Sequence, residues 1–452
     1  MIRYKRRQVN IMNKKYYHII TYGCQMNEHD SEKMGGILEK LAYIKTSEIE
    51  KANIIILNTC MIRENAELKL FGKVGSLKKL KEEKDDLIIG VSGCMMQTEE
   101  NRDELYKKYP QVDFVMGTHN FYELPEILQE LDKSKKRIFR VWPEGKGLLP
   151  ELPVSRAEDF KAWVSIIRGC NNFCTYCIVP YVRGREISRP INDILTEIKK
   201  LVINGVIEVT LLGQNVNSYG HDLKEDIDFA DLLAEVAKIN GLKRIRYMTS
   251  HPRDFTEGLI EVIKENENIC NHFHLPVQSG SSRILKKMNR GYDRKKYLNL
   301  ITKIKKEIPD AGITTDIIVG FPGEKEKDFN DTLSLIEKVH FDMAFTFIYS
   351  PRPGTPAAKF NDKVADEIKK TRLQRLMEIQ NKISLKKNQE MLGKNYKILV
   401  EGESKNNPDN YMGRTFNNKP VIIPGFKSYK KKILEVKINK VNSFTLYGEI
   451  MG

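Results

Sequence analysis

Between Gly169 and Cys177 the chain reads Gly-Cys-Asn-Asn-Phe-Cys-Thr-Tyr-Cys, which puts Cys170, Cys174 and Cys177 within eight residues. Three soft thiolates spaced by three and then two residues can grip one face of a metal cluster from a single loop, so the flanking chain must present that loop at a rigid edge. No further cysteine follows until Cys270. A four-iron cluster held here would therefore keep one iron without a protein thiolate, as a site that binds and activates a ligand requires. The alternative is a zinc knot, but a closed zinc site takes four protein ligands and no histidine lies in the local window.

The edge itself is legible in the pattern that starts at Ala162. Short apolar runs at residues 162–167, 206–212, 245–249, 272–275, 313–319 and 343–348 alternate with amphipathic stretches, which predicts six parallel strands with helices between them. An incomplete (β/α)6 barrel would direct its strand C-termini towards one mouth, with the cysteine loop after the first strand. A flat, doubly wound sheet remains the other solution for six strands.

The same alternation occurs earlier. Residues 16–21, 54–58 and 87–92 read as buried parallel strands, each followed by a helical segment; Asp30 and Ser31 are positioned to open the first helix and Thr98 a later one. Cys24, Cys60 and Cys94 are 36 and 34 residues apart, each just beyond a strand. Strand ends of a parallel sheet lie along one edge, where ligands bind, so three cysteines distant in sequence can converge there. Three ordinary buried cysteines are the alternative.

With 452 residues, 40% of them hydrophobic and 30% charged, the chain has material for about three domains. Pro143, Gly145, Gly147, Pro150 and Pro153 suggest a linker or a crossover over 133–155, between an N-terminal domain over 15–132 and a central domain over 156–388. After a basic helical stretch at 367–387, apolar alternations at 396–400, 421–423, 433–438 and 444–447, with Asn-Pro and Pro-Gly turn signals, predict a small β-barrel over 389–452. That segment carries eleven Lys and Arg against six Asp and Glu, including the cluster Lys430-Lys431-Lys432; a basic barrel suits an RNA platform, while a lysine cluster alone is usually a solvated turn. Over the whole chain 75 basic residues face 60 acidic ones, which favours a polyanionic partner. No apolar run is long enough to span a bilayer, and Met1 to Lys15 lacks the apolar segment of a secretory signal. Seven cysteines without export features argue for thiols and metal ligation in a cytoplasmic protein.

The order Cys-x3-Cys-x2-Cys with Tyr176 before the last cysteine resembles the signature of radical S-adenosylmethionine enzymes. Thr21-Tyr22-Gly23-Cys24-Gln25-Met26-Asn27-Glu28, Asn58-Thr59-Cys60 and Gly93-Cys94 resemble the N-terminal domain of the methylthiotransferases within that superfamily, and Tyr411 to Val421 resembles their RNA-binding TRAM domain. The resemblance runs from about Tyr16 to the end. It implies two 4Fe-4S clusters, one catalytic on Cys170, Cys174 and Cys177 and one auxiliary on Cys24, Cys60 and Cys94. It also implies S-adenosylmethionine in two uses: cleaved by one electron to methionine and a 5'-deoxyadenosyl radical, and as methyl donor to sulfur carried by the auxiliary cluster. Cofactor contacts are implied at Tyr176, at Gly213 and Gln214 of Leu212-Gly213-Gln214-Asn215, at Gln278 of the block 274–281, and at Asp316 of the block 316–324. Gln214 stands where the family motif has a glutamate, which leaves the methionine amino group to an amide oxygen or backbone carbonyls. His251, His272 and His274 read as ordinary hydrogen-bonded histidines.

Within the family the motifs stand closest to enzymes that place a methylthio group on carbon 2 of N(6)-isopentenyladenosine at position 37 of tRNA. The implied partners are the anticodon stem-loop and a low-potential donor such as flavodoxin or ferredoxin, with the enzyme a monomer. Relatives acting on N(6)-threonylcarbamoyladenosine or on a ribosomal-protein aspartate share the architecture. From another class, a zinc-containing RNA-binding protein would share the basic barrel.

Overall fold

Uninterrupted apolar, β-branched runs such as Ile54-Ile55-Ile56-Leu57 can be buried on both faces only in a parallel sheet covered by helices on each side, and such sheets organise both halves of the chain. The computed structural model describes residues 14–61, 64–145, 147 and 151–451. They form two compact units, divided between Ala157 and Glu158.

The first unit holds β1 (Lys15–Thr21), β2 (Tyr43–Lys45), β3 (Ile54–Thr59), β4 (Ile88–Gly93), β5 (Phe114–Met116) and β6 (Ile138–Arg140). All pair in parallel, in the order β2-β1-β3-β4-β5-β6. The winding direction reverses between β1 and β3, so the crevice at their C-terminal ends is a topological switch point, the usual ligand position in such sheets.

Two local expectations are corrected here. The first helix spans Gln25–Lys40 and starts directly at Cys24, whose carbonyl accepts from the N–H groups of Asn27 and Glu28. Asp30 and Ser31 therefore lie buried in its body instead of opening it, and Ser31 Oγ is used to bind Thr21 Oγ1 at 2.7 Å and Asn58 Nδ2 at 2.9 Å. The expected linker over 133–155 begins with the end of helix Leu124–Ser134 and supplies the edge strand β6. Its last residues fold back on the first helix: Ser155 N–H donates to Glu32 O at 2.8 Å and Ser155 Oγ to Glu39 Oε1 at 2.6 Å. Pro150 lies outside the described residues. Thr98 does precede a helix, Glu99–Lys108.

The second unit opens with β7 (Lys161–Ser165), followed by a short antiparallel ribbon of β8 (Ile167–Arg168) and β9 (Ile187–Ser188). Then come β10 (Glu208–Leu212), β11 (Arg244–Tyr247), β12 (His272–His274), β13 (Gly312–Val319) and β14 (Met343–Ile348). The pairings β7-β10-β11 and β12-β13-β14 are all parallel, and a parallel bridge between Ile245 and Ile269 joins the two sets. Because the order follows the sequence without reversal, every crossover helix falls on the same face and the sheet curls into an open six-stranded barrel. Val164, Val209, Ile245, Phe273, Ile313 and Ile317 face that helical layer and form its core, which turns the alternate residues Glu208, Arg246, His272, Thr314 and Asp316 inward.

The last strands are β15 (Asn395–Ser404), β16 (Asn407–Thr415), β17 (Pro420–Pro424), β18 (Ile433–Val441) and β19 (Leu446–Ile450), closed into a barrel in the order β15-β16-β17-β19-β18. Asn407-Pro408, expected as a turn, instead begins β16, where proline is tolerated because it stands at the start of the strand. The turn after β16 docks against the N-terminal ends of the larger barrel's strands. Arg244 donates to Arg414 O at 2.8 Å and Thr415 O at 2.9 Å, Arg246 to Thr415 O at 2.9 Å, and Glu208 lies 3.0 and 3.1 Å from the two guanidinium groups. Buried Asp342 binds both Lys419 at 2.8 Å and Lys387 at 2.7 Å. Among the described residues no helix is long and apolar enough to cross a membrane.

Candidate functional site

In the first unit β1, β3 and β4 are neighbours, and each hands its chain to a cysteine: Cys60 and Cys94 immediately follow β3 and β4, and Cys24 stands three residues past β1. Neighbouring polar groups hold these ends in register. Asn27 Nδ2 donates to Thr59 O at 2.8 Å, Asn58 Nδ2 to Asn27 O at 2.8 Å, and Thr59 Oγ1 to Ser92 O at 3.0 Å. Cys24 Sγ lies 3.6 Å from Asn27 Oδ1. Gly93 adopts φ +106°, and a Cβ there would run into Asn58 Oδ1 and the backbone of Thr59, so the approach of the third loop to the second requires glycine. Strand order thus places Cys24, Cys60 and Cys94 after three neighbouring strands, although among the described residues no three His, Cys, Asp or Glu side chains are grouped so as to hold a single metal ion.

The second trio belongs to the other unit. β8 and β9 are the stem of the loop carrying Cys170, Cys174 and Cys177, with Cys170 N–H donating to Gly184 O at 3.1 Å and Asn171 N–H to Glu186 Oε1 at 3.1 Å. A second wall comes from the turn at 288–290. Thr175 N–H donates to Met288 O at 3.0 Å, and Asn289 Nδ2 to Phe173 O at 3.1 Å. Between the first two cysteines Phe173 takes the left-handed conformation, φ +44°, its ring held under Arg185 at 4.3 Å. A non-glycine residue in that region is strained, a feature that concentrates at ligand sites.

None of the seven cysteines forms a disulfide. Burial, with Cys174 adding to it, pushes the Cys177 thiol up to about 12, and burial pushes Cys170 up to about 11. Cys170 and Cys174 are buried and Cys177 partly so; a multiply charged cation would favour their thiolate forms, so the donor types suit a metal cluster. A second fit concerns the ligand: Gln214 Oε1 is buried without a hydrogen-bond partner. It follows β10 at the mouth of the barrel, as an acceptor for an incoming ammonium group would.

Of the other expected contacts, Gln278 follows β12 and Asp316 lies within β13. Gln278, with φ +70°, donates its N–H to Asp316 O at 2.9 Å, and its carbonyl accepts from Ile318 N–H at 2.9 Å. Asp316 lies 3.5 Å from His274 Nε2. Gly213 packs against the Ile167 side chain, and a Cβ would overlap it. Tyr176 is linked to the block after β12 through Arg290, which donates to Tyr176 Oη at 3.4 Å and Pro276 O at 2.7 Å. Arg290 also reaches Cys174 Sγ at 3.4 Å. Sequence reasoning missed this arginine, since a basic residue between two helices carries no signal until the fold turns it inward.

His272 and His274 share Thr314 Oγ1 at 2.9 and 3.0 Å, and His251 Nδ1 accepts from Arg253 N–H at 3.2 Å. Cys270 is buried beside Arg246, Tyr247 and His272, apart from both trios. Of the lysine cluster in the small barrel, Lys430 pairs with Glu158 at 2.8 Å and Lys431 with Asp159. Two of those three charges therefore have acidic partners at the start of the unit.

Family profiles match the chain in three successive segments: Uncharacterized protein family UPF0004 over residues 16–117, the Radical SAM superfamily over 164–336 and the TRAM domain over 389–451. Fold and site thus define a radical S-adenosylmethionine enzyme. The tRNA-2-methylthio-N(6)-dimethylallyladenosine synthase of Desulforamulus reducens is 52% identical over 439 residues, 97% of this chain and 96% of the relative. The protein of the same name from Clostridium tetani is 54% identical over 436 residues, 96% of each chain. The chain belongs to the tRNA-2-methylthio-N(6)-dimethylallyladenosine synthase family, which consists of radical S-adenosylmethionine methylthiotransferases. Among solved structures, a radical S-adenosylmethionine methyltransferase from Kitasatospora setae with cobalamin and a 4Fe-4S cluster bound shares the fold at a TM-score of 0.56 and 12% identity, over 76% of this chain and 77% of that one. Membership implies S-adenosylmethionine and a 4Fe-4S cluster as cofactors.

Proposed function

We propose that this chain adds a methylthio group to carbon 2 of N(6)-isopentenyladenosine at position 37 of tRNA. The observation that carries the reading is the pair of cysteine trios, each at the C-terminal edge of a parallel sheet, in a chain 52% identical over nearly its full length to a relative named for that product. Carbon 2 of an adenine bears an unactivated hydrogen, beyond the reach of a general base or a simple nucleophile. When bound, a 4Fe-4S cluster with S-adenosylmethionine supplies the one-electron chemistry that such a hydrogen demands, and the protein supplies position and exclusion.

Cys170, Cys174 and Cys177 would hold that cluster, and Cys24, Cys60 and Cys94 a second one serving sulfur transfer, with S-adenosylmethionine acting both as radical source and as methyl donor. Gln214 Oε1 would accept from the methionine amino group, and Tyr176, Gly213, Gln278 and Asp316 would line the rest of the cofactor site. The anticodon stem-loop would present the base splayed from its neighbours. On the small barrel Phe426 and Phe444 are more than half exposed and offer stacking surfaces. A low-potential donor of the flavodoxin or ferredoxin type would reduce a monomeric enzyme in the cytoplasm.

The test is anaerobic purification with iron and sulfide analysis, followed by two triple variants. Changing Cys170, Cys174 and Cys177 to alanine should leave auxiliary iron but abolish 5'-deoxyadenosine formation. Changing Cys24, Cys60 and Cys94 should spare cofactor cleavage and abolish the methylthio product in nucleosides analysed by mass spectrometry. Product formed by either variant would sink the reading.

A further inference from the structure

Arg290 is 4% exposed, and its donors are aimed inward. Nη1 reaches Cys174 Sγ and Tyr176 Oη, both at 3.4 Å; Nη2 donates to Pro276 O at 2.7 Å; Nε donates to Tyr292 Oη at 3.1 Å. Tyr292 Oη is itself anchored on Pro276 O at 3.2 Å and Val277 O at 3.1 Å. Among the described residues no carboxylate lies within ion-pair distance of this guanidinium, in contrast to buried Arg244 and Arg246, which share Glu208. Oxygen atoms of carbonyls and phenols satisfy its hydrogen bonds but do not balance its charge. The cysteine sulfur it touches, that of Cys174, would carry negative charge as a cluster ligand, and Cys177 lies within its electrostatic reach.

We propose that Arg290 raises the reduction potential of the cluster held by Cys170, Cys174 and Cys177, by placing a buried positive charge and an N–H donor against the Cys174 sulfur. The inference rests on the reading of those three cysteines as cluster ligands. Hydrogen bonds to ligand sulfur and net local charge are the levers by which a protein sets the potential of such a cluster. Reduction adds one negative charge at the cluster, and a guanidinium that cannot be deprotonated or hydrated stabilises the reduced form more than the oxidised one. Arg290 touches a ligand and not the reacting atoms, so it is a positioning residue. Tyr292 and the carbonyls of Pro276 and Val277 hold it in place, which is why the charge does not swing out to solvent.

The experiment uses the full chain with Cys24, Cys60 and Cys94 changed to alanine, so that one cluster remains, reconstituted anaerobically and titrated against potential with detection by electron paramagnetic resonance. Relative to this parent, Arg290→Met should keep its iron and shift the midpoint to more negative potential. Arg290→Lys, which retains a charge on a shorter reach, should fall between the two. Equal midpoints in the three proteins would overturn the proposal. So would loss of iron from both variants, because Arg290 would then act by holding the loop. A parent that assembles no cluster at all would instead sink the assignment of Cys170, Cys174 and Cys177 as ligands.

Discussion

Asn58 and Asn27 bind each other in both directions: Asn58 Nδ2 donates to Asn27 O at 2.8 Å and Asn27 Nδ2 to Asn58 Oδ1 at 3.3 Å. Both side chains are almost fully buried, and they brace the loops that carry Cys24 and Cys60. Asn58→Ala would remove one hydrogen bond to Asn27 O and one to Ser31 Oγ. A lost intramolecular hydrogen bond costs about 0.5–1.5 kcal/mol, so the variant should unfold at lower urea concentration than the parent in the metal-free state. After reconstitution it should retain less iron, with the deficit confined to the auxiliary site.

Gln214→Met keeps the volume after β10 and removes the buried acceptor. If Gln214 Oε1 takes a hydrogen bond from the cofactor's ammonium group, its loss at about 1.5–3 kcal/mol should weaken S-adenosylmethionine binding by at least about tenfold. Equilibrium dialysis on reconstituted protein gives the dissociation constant directly, and an unchanged value would remove Gln214 from the cofactor site.

The docking of the small barrel depends on Asp342. Burial pushes its carboxyl up, but the ammonium groups of Lys419 and Lys387 outweigh that and hold it below the usual carboxylate range. Asp342→Asn strands the buried Lys419 charge, a loss of about 3–5 kcal/mol when one partner of such a pair is removed. Limited proteolysis should then cut between helix Asp366–Gln389 and β15 faster than in the parent.

Acid should act in the same direction. At Asp328, burial is opposed by hydrogen bonds from Arg283, Ser281 and the Lys325 N–H, which bring the carboxyl from 3.8 down to about 2. A folded-state value below the unfolded one means stability that is fully present above about pH 4 and is lost as pH falls from there towards the folded value. Asp342 shifts in the same sense. Thermal unfolding of the protein should therefore show a midpoint that falls below about pH 4, and Asp328→Asn should flatten that dependence.

Phe426 and Phe444 stand out on the small barrel. Base stacking on an exposed aromatic contributes about 1–3 kcal/mol, so Phe426→Ala and Phe444→Ala should each weaken binding of an anticodon stem-loop while leaving the log-log salt slope unchanged. Lys432→Ala should reduce that slope, because only phosphate contacts release counterions. Fluorescence anisotropy at several salt concentrations separates the two effects.

Strand and helix alternation, the closed β-barrel at the end and the placement of both cysteine trios after strands were all legible along the chain, because they follow from local periodicity and from residues adjacent in sequence. Periodicity did not reveal where the first helix starts, since Cys24 caps it through its backbone while Asp30 is buried in its body and Ser31 is spent on contacts with β1 and β3. It missed β6, a three-residue edge strand formed because an open sheet edge was there to receive it, and it took Asn407-Pro408 for a turn. Charge partners were not legible: Glu158 and Asp159, some 270 residues away, come beside Lys430 and Lys431 only in the fold. Arg290, Gln214 and the Glu208, Arg244 and Arg246 group acquire their meaning from burial. Local order specifies a side chain's type and its face, whereas the cost of burying its charge depends on partners that only the folded chain brings within a few ångströms.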